Sequence, residues 1–404
     1  MANDIYSIDT LVTGTSTVTI TDDGSGIDTI RVNGTYAEVC TFTLAWTTDL
    51  GQPTSASGIY YTPLGAGFEG HRLIVNGVIE NATGSNSRDF IQGNVLGNLI
   101  FGDALASGAG MNDTLWGSSG NDTIFGGAGD DEILGDNDND LLLGGAGVDT
   151  ISGGGGIDTV QGGAGADVLS GGSTPGDTLS YAASTAGIQI GLVFGSAVTG
   201  SGGDAAGDHI TGFANVTGSA LGDRIEDTDK GTIAFGQNDN LFSGGGGRDR
   251  LMLGGGNDTA LGGNGNDTLL GEVGNDALFG GNNDDYLGGA HGRDSLAGGS
   301  GADLFVFKTA SDSTTALAGR DTITDFSTGQ GDRIDLSQID AQAGVAGNQA
   351  FDLVAAFTGA AGDLRVKVDG ADLLVLGDIN GDKQADFAIL VQNTAGLTAT
   401  DFVL

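Results

Sequence analysis

From residue 113 onward an aspartate recurs every nine residues: Asp113, Asp122, Asp131, Asp140, Asp149, Asp158 and Asp167. A second run, Asp249, Asp258, Asp267, Asp276, Asp285, Asp294 and Asp303, keeps the same step. Two residues after each aspartate stands an apolar side chain, from Leu115 and Ile124 through Leu169 in the first run and from Leu251 through Phe305 in the second. A fixed short period means stacked units, none of which can bury its apolar face alone. The full unit, seen in Gly144-Gly145-Ala146-Gly147-Val148-Asp149-Thr150-Ile151-Ser152, reads G-G-x-G-x-D-x-U-x, with U apolar. Glycine permits the positive φ of a tight turn and lets carbonyl oxygens converge. Asparagine at the fifth slot (Asn121, Asn257, Asn266, Asn275) is expected to serve the same left-handed geometry. The U residue points inward from a short strand, because side chains alternate along it. Two units make a coil of eighteen residues, so equivalent aspartates stack eighteen apart.

Composition narrows the chemistry. Glycine makes up 78 of 404 residues but proline only three, which excludes a collagen helix. The net charge is -39, and of 53 acidic residues 47 are aspartate, which places the charge in turns rather than on a helical rod. Phosphate backbones and anionic lipid would repel such a chain, so neither nucleic acid nor a membrane is an expected partner. A divalent cation is the natural counter-charge. Calcium takes about six to eight hard oxygen ligands, which carbonyl-rich turns bearing a short carboxylate supply. The single cysteine, Cys40, excludes an intramolecular disulfide and is expected to be a buried strand residue. The first ten residues lack a basic and apolar leader, and no run approaches the ~18 apolar residues of a span, so no Sec signal or membrane anchor is expected.

The nonapeptide unit resembles that of the RTX family of calcium-binding parallel β-rolls. The resemblance implies an all-β fold: two parallel β-roll arrays, β capping segments and a C-terminal β-sandwich-like domain. It also implies calcium between successive turns, each ion linking Asp(n) with Asp(n+18). Asp113 with Asp131 through Asp149 with Asp167, and Asp249 with Asp267 through Asp285 with Asp303, then give about ten interior sites. The glycines of the best copies, Gly144, Gly147, Gly153, Gly156, Gly262 and Gly265, would add carbonyl ligands. Two turns depart from the pattern. Asp136-Asn137-Asp138-Asn139 precedes Asp140, and Asn282-Asn283 precedes Asp284-Asp285, so these are expected to bind weakly or differently. Asp89 and Asn98 continue the step backward into lead-in coils.

The organisation expected is an N-terminal β segment over 1–88, a first roll over 89–171, a linking segment over 172–222, a second roll over 223–303 and a C-terminal domain over 304–404. The linking segment repeats the lead-in grammar: Asn81-Ala82-Thr83-Gly84-Ser85 returns as Asn215-Val216-Thr217-Gly218-Ser219, and Ile27-Asp28-Thr29-Ile30 with Tyr36 parallels Gly176-Asp177-Thr178-Leu179 with Tyr181. From Asp321-Thr322-Ile323-Thr324-Asp325-Phe326 onward the chain resembles the serralysin C-terminal domain, without the His-Glu-x-x-His helix of the proteases. Asp378, Asn380, Asp382 and Asp386 have the offsets of an EF-hand start, but Lys383 and Ile389 stand where that loop needs Gly and Glu, leaving a calcium site or a polar turn. Thr400-Asp401-Phe402-Val403-Leu404 resembles the terminus of type I secretion substrates, which implies that export machinery as a partner.

Catalytic materials are sparse. His71, His209 and His291 are isolated, and no nucleophile elbow occurs. The expectation is a non-enzymatic, secreted extracellular or cell-surface protein that folds on calcium and forms a surface layer or matrix. The alternatives are a calcium-dependent adhesin or lectin, and a polysaccharide-active enzyme with its site in residues 27–80, drawing on Glu38, Glu69, Glu80, His71, Trp46, Tyr60 and Tyr61. Outward-facing Trp116, Phe125, Leu134, Leu141 and Leu143 form apolar strips on the first array, covered either from within the chain, by the linking segment Gly172 to Asn215 or the second array, or by a neighbouring protomer.

Overall fold

The computed structural model describes residues 88–404, except 94, 104–109, 194–195, 229–238 and 343. Before residue 88 it describes the backbone of six strands. Cys40 begins one of them, Cys40–Trp46, but its side chain lies outside the described residues. Among the described residues there is no α-helix, only three single-turn 3-10 segments.

The chain divides into two compact units. One comprises 1–181 and 195–213, the other 182–194 and 214–404. In the first, each coil contributes two strands that run parallel to those of the next coil. One ladder runs Leu99–Phe101, Thr123–Ala128, Leu141–Ala146, Thr159–Ala164 and Thr178–Ser180. The other runs Asp89–Gln92, Thr114–Ser119, Glu132–Asn137, Thr150–Gly155, Val168–Gly172 and His209–Thr211. The six earlier strands extend these ladders, also in parallel; Ser16–Asp22 pairs with Cys40–Trp46 over seven residues.

The second unit repeats the plan. Leu241–Gly246, Thr259–Asn264, Ala277–Asn282 and Ser295–Ser300 form one ladder, and Arg250–Met252, Thr268–Val273, Tyr286–His291 and Leu304–Val306 the other. The second ladder continues through Arg333–Asp335 to the terminal strand Phe402–Val403. An antiparallel meander, Asp363–Asp369, Asp372–Asp378 and Phe387–Val391, joins the first through Thr322–Ile323.

The apolar slot does what alternation requires. Leu115, Ile133, Ile151 and Leu169 stack along one ladder and Ile124, Leu142, Val160 and Leu179 along the other, all buried. A core only two side chains wide has one consequence: every coil relies on its neighbours, and the turns must hold themselves together.

Candidate metal centre

The turns place the aspartates in columns through a single repeated hydrogen bond. The backbone N–H of Asp131 donates to Oδ1 of Asp149, one coil on, at 2.8 Å. All ten pairs expected eighteen residues apart are joined this way, at 2.7–2.9 Å. That leaves the second carboxylate oxygen. In Asp122, Asp131, Asp140, Asp149, Asp158 and Asp167, and in all seven aspartates from Asp249 to Asp303, Oδ2 is buried with no hydrogen-bond donor. None of these residues is more than 4% exposed.

The first glycine of each unit makes room for that oxygen. A Cβ on Gly144 would collide with Asp149 Oδ2 and stand 2.5 Å from the carbonyl oxygen of Gly162. The same holds at Gly126, with Asp131 Oδ2 and the carbonyl of Gly144, at Gly135, with Asp140 Oδ2 and that of Gly153, and at Gly244, with Asp249 Oδ2 and that of Gly262. Of the six glycines singled out in the sequence, Gly144, Gly153 and Gly262 thus bring a carbonyl beside an unpaired carboxylate oxygen. Gly147 acts at the fourth slot, where its carbonyl and Asp167 Oδ1 both crowd the missing Cβ of Gly165. Gly156 and Gly265 hold that slot at φ 138° and 125°.

An unpaired buried carboxylate costs several kcal/mol as an anion, so these columns must be neutralised. Burial first, and neighbouring carboxylates second to the opposing amide bond, push Asp149 up to about 7 and Asp140 to about 8. Asp258 rises to about 7 and Asp276 to about 8, again through burial. The ion pairs of Arg224 and Arg250 with Glu226, and of His291 with Asp312, lie outside the columns. Carboxylate oxygens without a donor, beside carbonyl oxygens, are the hard ligand set of calcium, and the residues fit it. Bound there, calcium would supply the positive charge that the columns lack.

One expectation is corrected. Asn121, Asn257 and Asn275 are not left-handed; positive φ falls on the second and fourth slots, as at Gly145 (116°) and Gly147 (142°). The asparagines instead build an outer ladder running in the opposite sense. Asn121 Oδ1 accepts from the N–H of Asn139, Asn257 Oδ1 from Asn275, and Asn275 Oδ1 from Arg293. The second array carries an outward apolar row of its own: Leu261 and Phe279 lie side by side on one ladder and are exposed. On the first array Phe125, Leu134, Trp116 and Leu143 are half-buried and Leu141 is exposed, with Phe101 and Phe125 stacked at 4.8 Å.

The irregular turns keep the geometry. Asp136 and Asp138 take φ 75° and 73° in place of glycine, Asn283 takes 78°, and the carboxylates of Asp140 and Asp285 keep their unpaired Oδ2. Asn98 occupies an aspartate slot, its N–H donating to Asp122 Oδ1 at 2.6 Å. In the C-terminal loop Asp378, Asn380, Asp382 and Asp386 do converge, but on the loop's own backbone. Asp378 accepts from the N–H groups of Gly381 and Lys383, Asp386 from that of Ile379, Asn380 from Asp382 and Asp382 from Gln384. Their oxygens brace the turn, and none of them is a buried carboxylate oxygen without a donor like those of the columns.

The nine-residue step missed five carboxylates that join the columns across longer spacers. Asp177 accepts from the N–H of Asp158, Asp208 from Asp167, Asp223 from Ile188, Asp321 from Asp294 and Asp332 from Asp303. Each is followed two residues later by a buried apolar residue: Leu179, Ile210, Ile225, Ile323 and Ile334. That D-x-U signature, read without a fixed period, would have found them. Asp177 and Asp321 resemble the repeats most, each fully buried with an unpaired Oδ2, and burial pushes Asp321 up to about 9.

The profile of the family described as peptidase M10 serralysin C terminal matches residues 65–404. The chain belongs to that serralysin C-terminal family. It is a family of calcium-binding, extracellular RTX-repeat proteins, and the parallel roll described above is its fold. Among solved structures the chain is similar to the AlgE6R3 subunit of the mannuronan C5-epimerase of Azotobacter vinelandii, at 26% identity, covering 44% of this chain and 83% of that one with a TM-score of 0.26. It is also similar to the AlgE6R2 subunit of the same epimerase, at 25% identity over 47% and 91% of the two chains, with a TM-score of 0.23. No curated protein matched. Glu38, Glu69, Glu80, Tyr60, Tyr61 and the side chains of Trp46 and His71, the materials for a sugar-active site, lie outside the described residues. His209 and His291 are exposed.

Proposed function

We propose that this member of the serralysin C-terminal family is a non-enzymatic structural protein. It leaves the cell through a type I exporter unfolded, folds on meeting extracellular calcium, and self-associates into a surface layer or matrix. The observation that carries the reading is the column of buried carboxylates, each with one oxygen unsatisfied. Such a fold is unstable as a polyanion and stable once about ten calcium ions bridge the coils. Extracellular calcium modules bind at roughly 0.1 to 1 mM, far above cytosolic levels, so the same chain stays unfolded inside and folds outside.

Export through a C-terminal signal fits this order of events. In the folded protein the strand Phe402–Val403 is paired to Arg333–Asp335, and Asp401, which accepts from the N–H and hydroxyl of Thr398, is buried with Phe402, so folding hides these two residues while Val403 and Leu404 stay half-exposed. Self-association is supported by the apolar rows on the rolls, Phe101–Phe125–Leu143 on the first and Leu261–Phe279 on the second. The test is circular dichroism combined with light scattering during calcium titration. A cooperative gain of β signal followed by growth of large particles supports the proposal. A fully folded protein in excess chelator sinks the first step, and a calcium-folded protein that stays monomeric at high concentration sinks the second.

A further inference from the structure

Resting on the calcium columns just proposed, the geometry points to a chain-specific end to the metal array. We infer that in the first unit it runs one coil beyond the nonapeptides, to a calcium site at Asp177, and is stopped at Asp208 by the hydroxyl of Tyr181.

Asp177 lies outside the repeat register, nineteen residues after Asp158 rather than eighteen, yet Asp158 N–H donates to its Oδ1 at 2.8 Å. The residue is fully buried and its Oδ2 has no donor. Gly171 stands to it as Gly144 stands to Asp149. A Cβ there would lie 2.7 Å from Asp177 Oδ2 and collide with the carbonyl oxygen of Gly212. Gly212 is forty-one residues further along the chain, and reaches this place because His209–Thr211 pairs with Val168, Leu169 and Ser170 in register. A returning segment with no nonapeptide therefore supplies the carbonyl that the next repeat supplies elsewhere. A buried carboxylate oxygen without a donor, beside a carbonyl, is a site for a divalent cation.

Asp208 ends the neighbouring column in the opposite way. Its Oδ1 accepts from the N–H of Asp167 at 2.8 Å, as in the repeats. Its Oδ2 accepts a 2.6 Å hydrogen bond from the hydroxyl of Tyr181, which is itself 1% exposed. A neutral hydroxyl thus satisfies the oxygen that calcium would otherwise have to serve. A short hydrogen bond to a carboxylate is among the stronger kinds, and it needs no ion. Tyr181 follows Asp177 by four residues, so one short segment carries both the last metal ligand and the stop.

Native mass spectrometry of the full-length, calcium-saturated protein can count the ions. Asp177→Asn is expected to hold one ion fewer than the unmodified chain, and Asp208→Asn the same number. Asparagine keeps the Oδ1 acceptor in both, so the coil contact survives. An unchanged count in Asp177→Asn, or one ion fewer in Asp208→Asn, overturns the inference. Tyr181→Phe bares Asp208 and is expected either to take up one further ion or to melt at lower temperature; no change in either refutes the role of the hydroxyl. Long-wavelength anomalous diffraction from unmodified crystals needs no variant: a peak beside Asp177 Oδ2 and none beside Asp208 Oδ2 is expected, and the reverse is disproof. Absence of ions throughout would instead refute the calcium columns themselves.

Discussion

Asp131 and Asp149 face each other across one coil, the N–H of the first bonded to Oδ1 of the second at 2.8 Å, while Oδ2 of Asp149 is left buried without a donor. One carboxylate thus does two jobs: one oxygen ties the backbone of successive coils, and the other awaits a cation. Separating the two jobs gives the first prediction. Asp149→Asn keeps the coil contact and loses the charge, so it should raise the calcium midpoint of folding with little loss of stability at saturating calcium. Asp149→Ala also orphans the Asp131 amide and should cost a further ~1–3 kcal/mol, measurable as a lower thermal midpoint in saturating calcium.

Without calcium, pH should act in an unusual direction. Burial holds the column carboxylates above their unfolded value, Asp131 at about 6, Asp249 at about 7 and Asp276 at about 8. The folded state therefore binds more protons than the unfolded state between about pH 4 and about pH 8, and stability falls as pH rises through that window. In chelator, β signal should grow as pH is lowered from about 8 to about 5. With calcium present the proton competes with the ion, so apparent calcium affinity should fall over the same range. A chelated protein whose β content is flat with pH contradicts this account.

Glycine substitutions should divide sharply by position. Gly144→Ala drives a methyl into Asp149 Oδ2, and Gly145→Ala puts one against the Gly127 carbonyl at a backbone φ of 116°. Each should destabilise by at least ~2–3 kcal/mol. At Gly155 the nearest atom to a new Cβ is 3.8 Å away and φ is not left-handed, so Gly155→Ala should be close to neutral. Thermal unfolding of the three variants in calcium makes the comparison.

Ala290 holds a second-slot position at φ 66°, a slot that Gly281 and Gly299 fill at 112° and 96° and that Glu272, its partner one coil back, also holds left-handed at 75°. Relieving a left-handed residue recovers up to about 1 kcal/mol once the extra freedom of unfolded glycine is subtracted. Ala290→Gly should therefore stabilise the second roll, and a lower melting temperature would contradict the strain.

Assembly should depend on the apolar row of the first roll. Phe125→Ser combined with Leu143→Ser removes two adjacent residues of the row without touching a column aspartate. Particle growth in calcium should be lost while the calcium-induced β signal remains. Loss of folding itself would make the row part of the internal core.

The sequence by itself determined the roll. A strict Asp step with an apolar residue two places on leaves only one way to bury Ile133 and Ile151 together, and it fixes that Asp131 lies beside Asp149. Local turn chemistry and period suffice for that, because each coil contacts only its neighbours. What only the tertiary structure decided lies where the period breaks. Asp177, Asp208, Asp321 and Asp332 enter the columns after spacers of unequal length, and a strand pairing such as Val168 with His209 is set by how the excursion folds back, which no periodicity encodes. The same holds for satisfaction of polar atoms. Asp177 and Asp208 look alike in sequence, each opening a D-x-U unit, but only their surroundings give one oxygen a tyrosine hydroxyl and leave the other bare. The structure likewise separated Asp378 from the column aspartates, since its oxygens are taken up by the N–H groups of its own turn. Residue type sets what a carboxylate is able to bind, and the donors that reach it in three dimensions decide what it must bind.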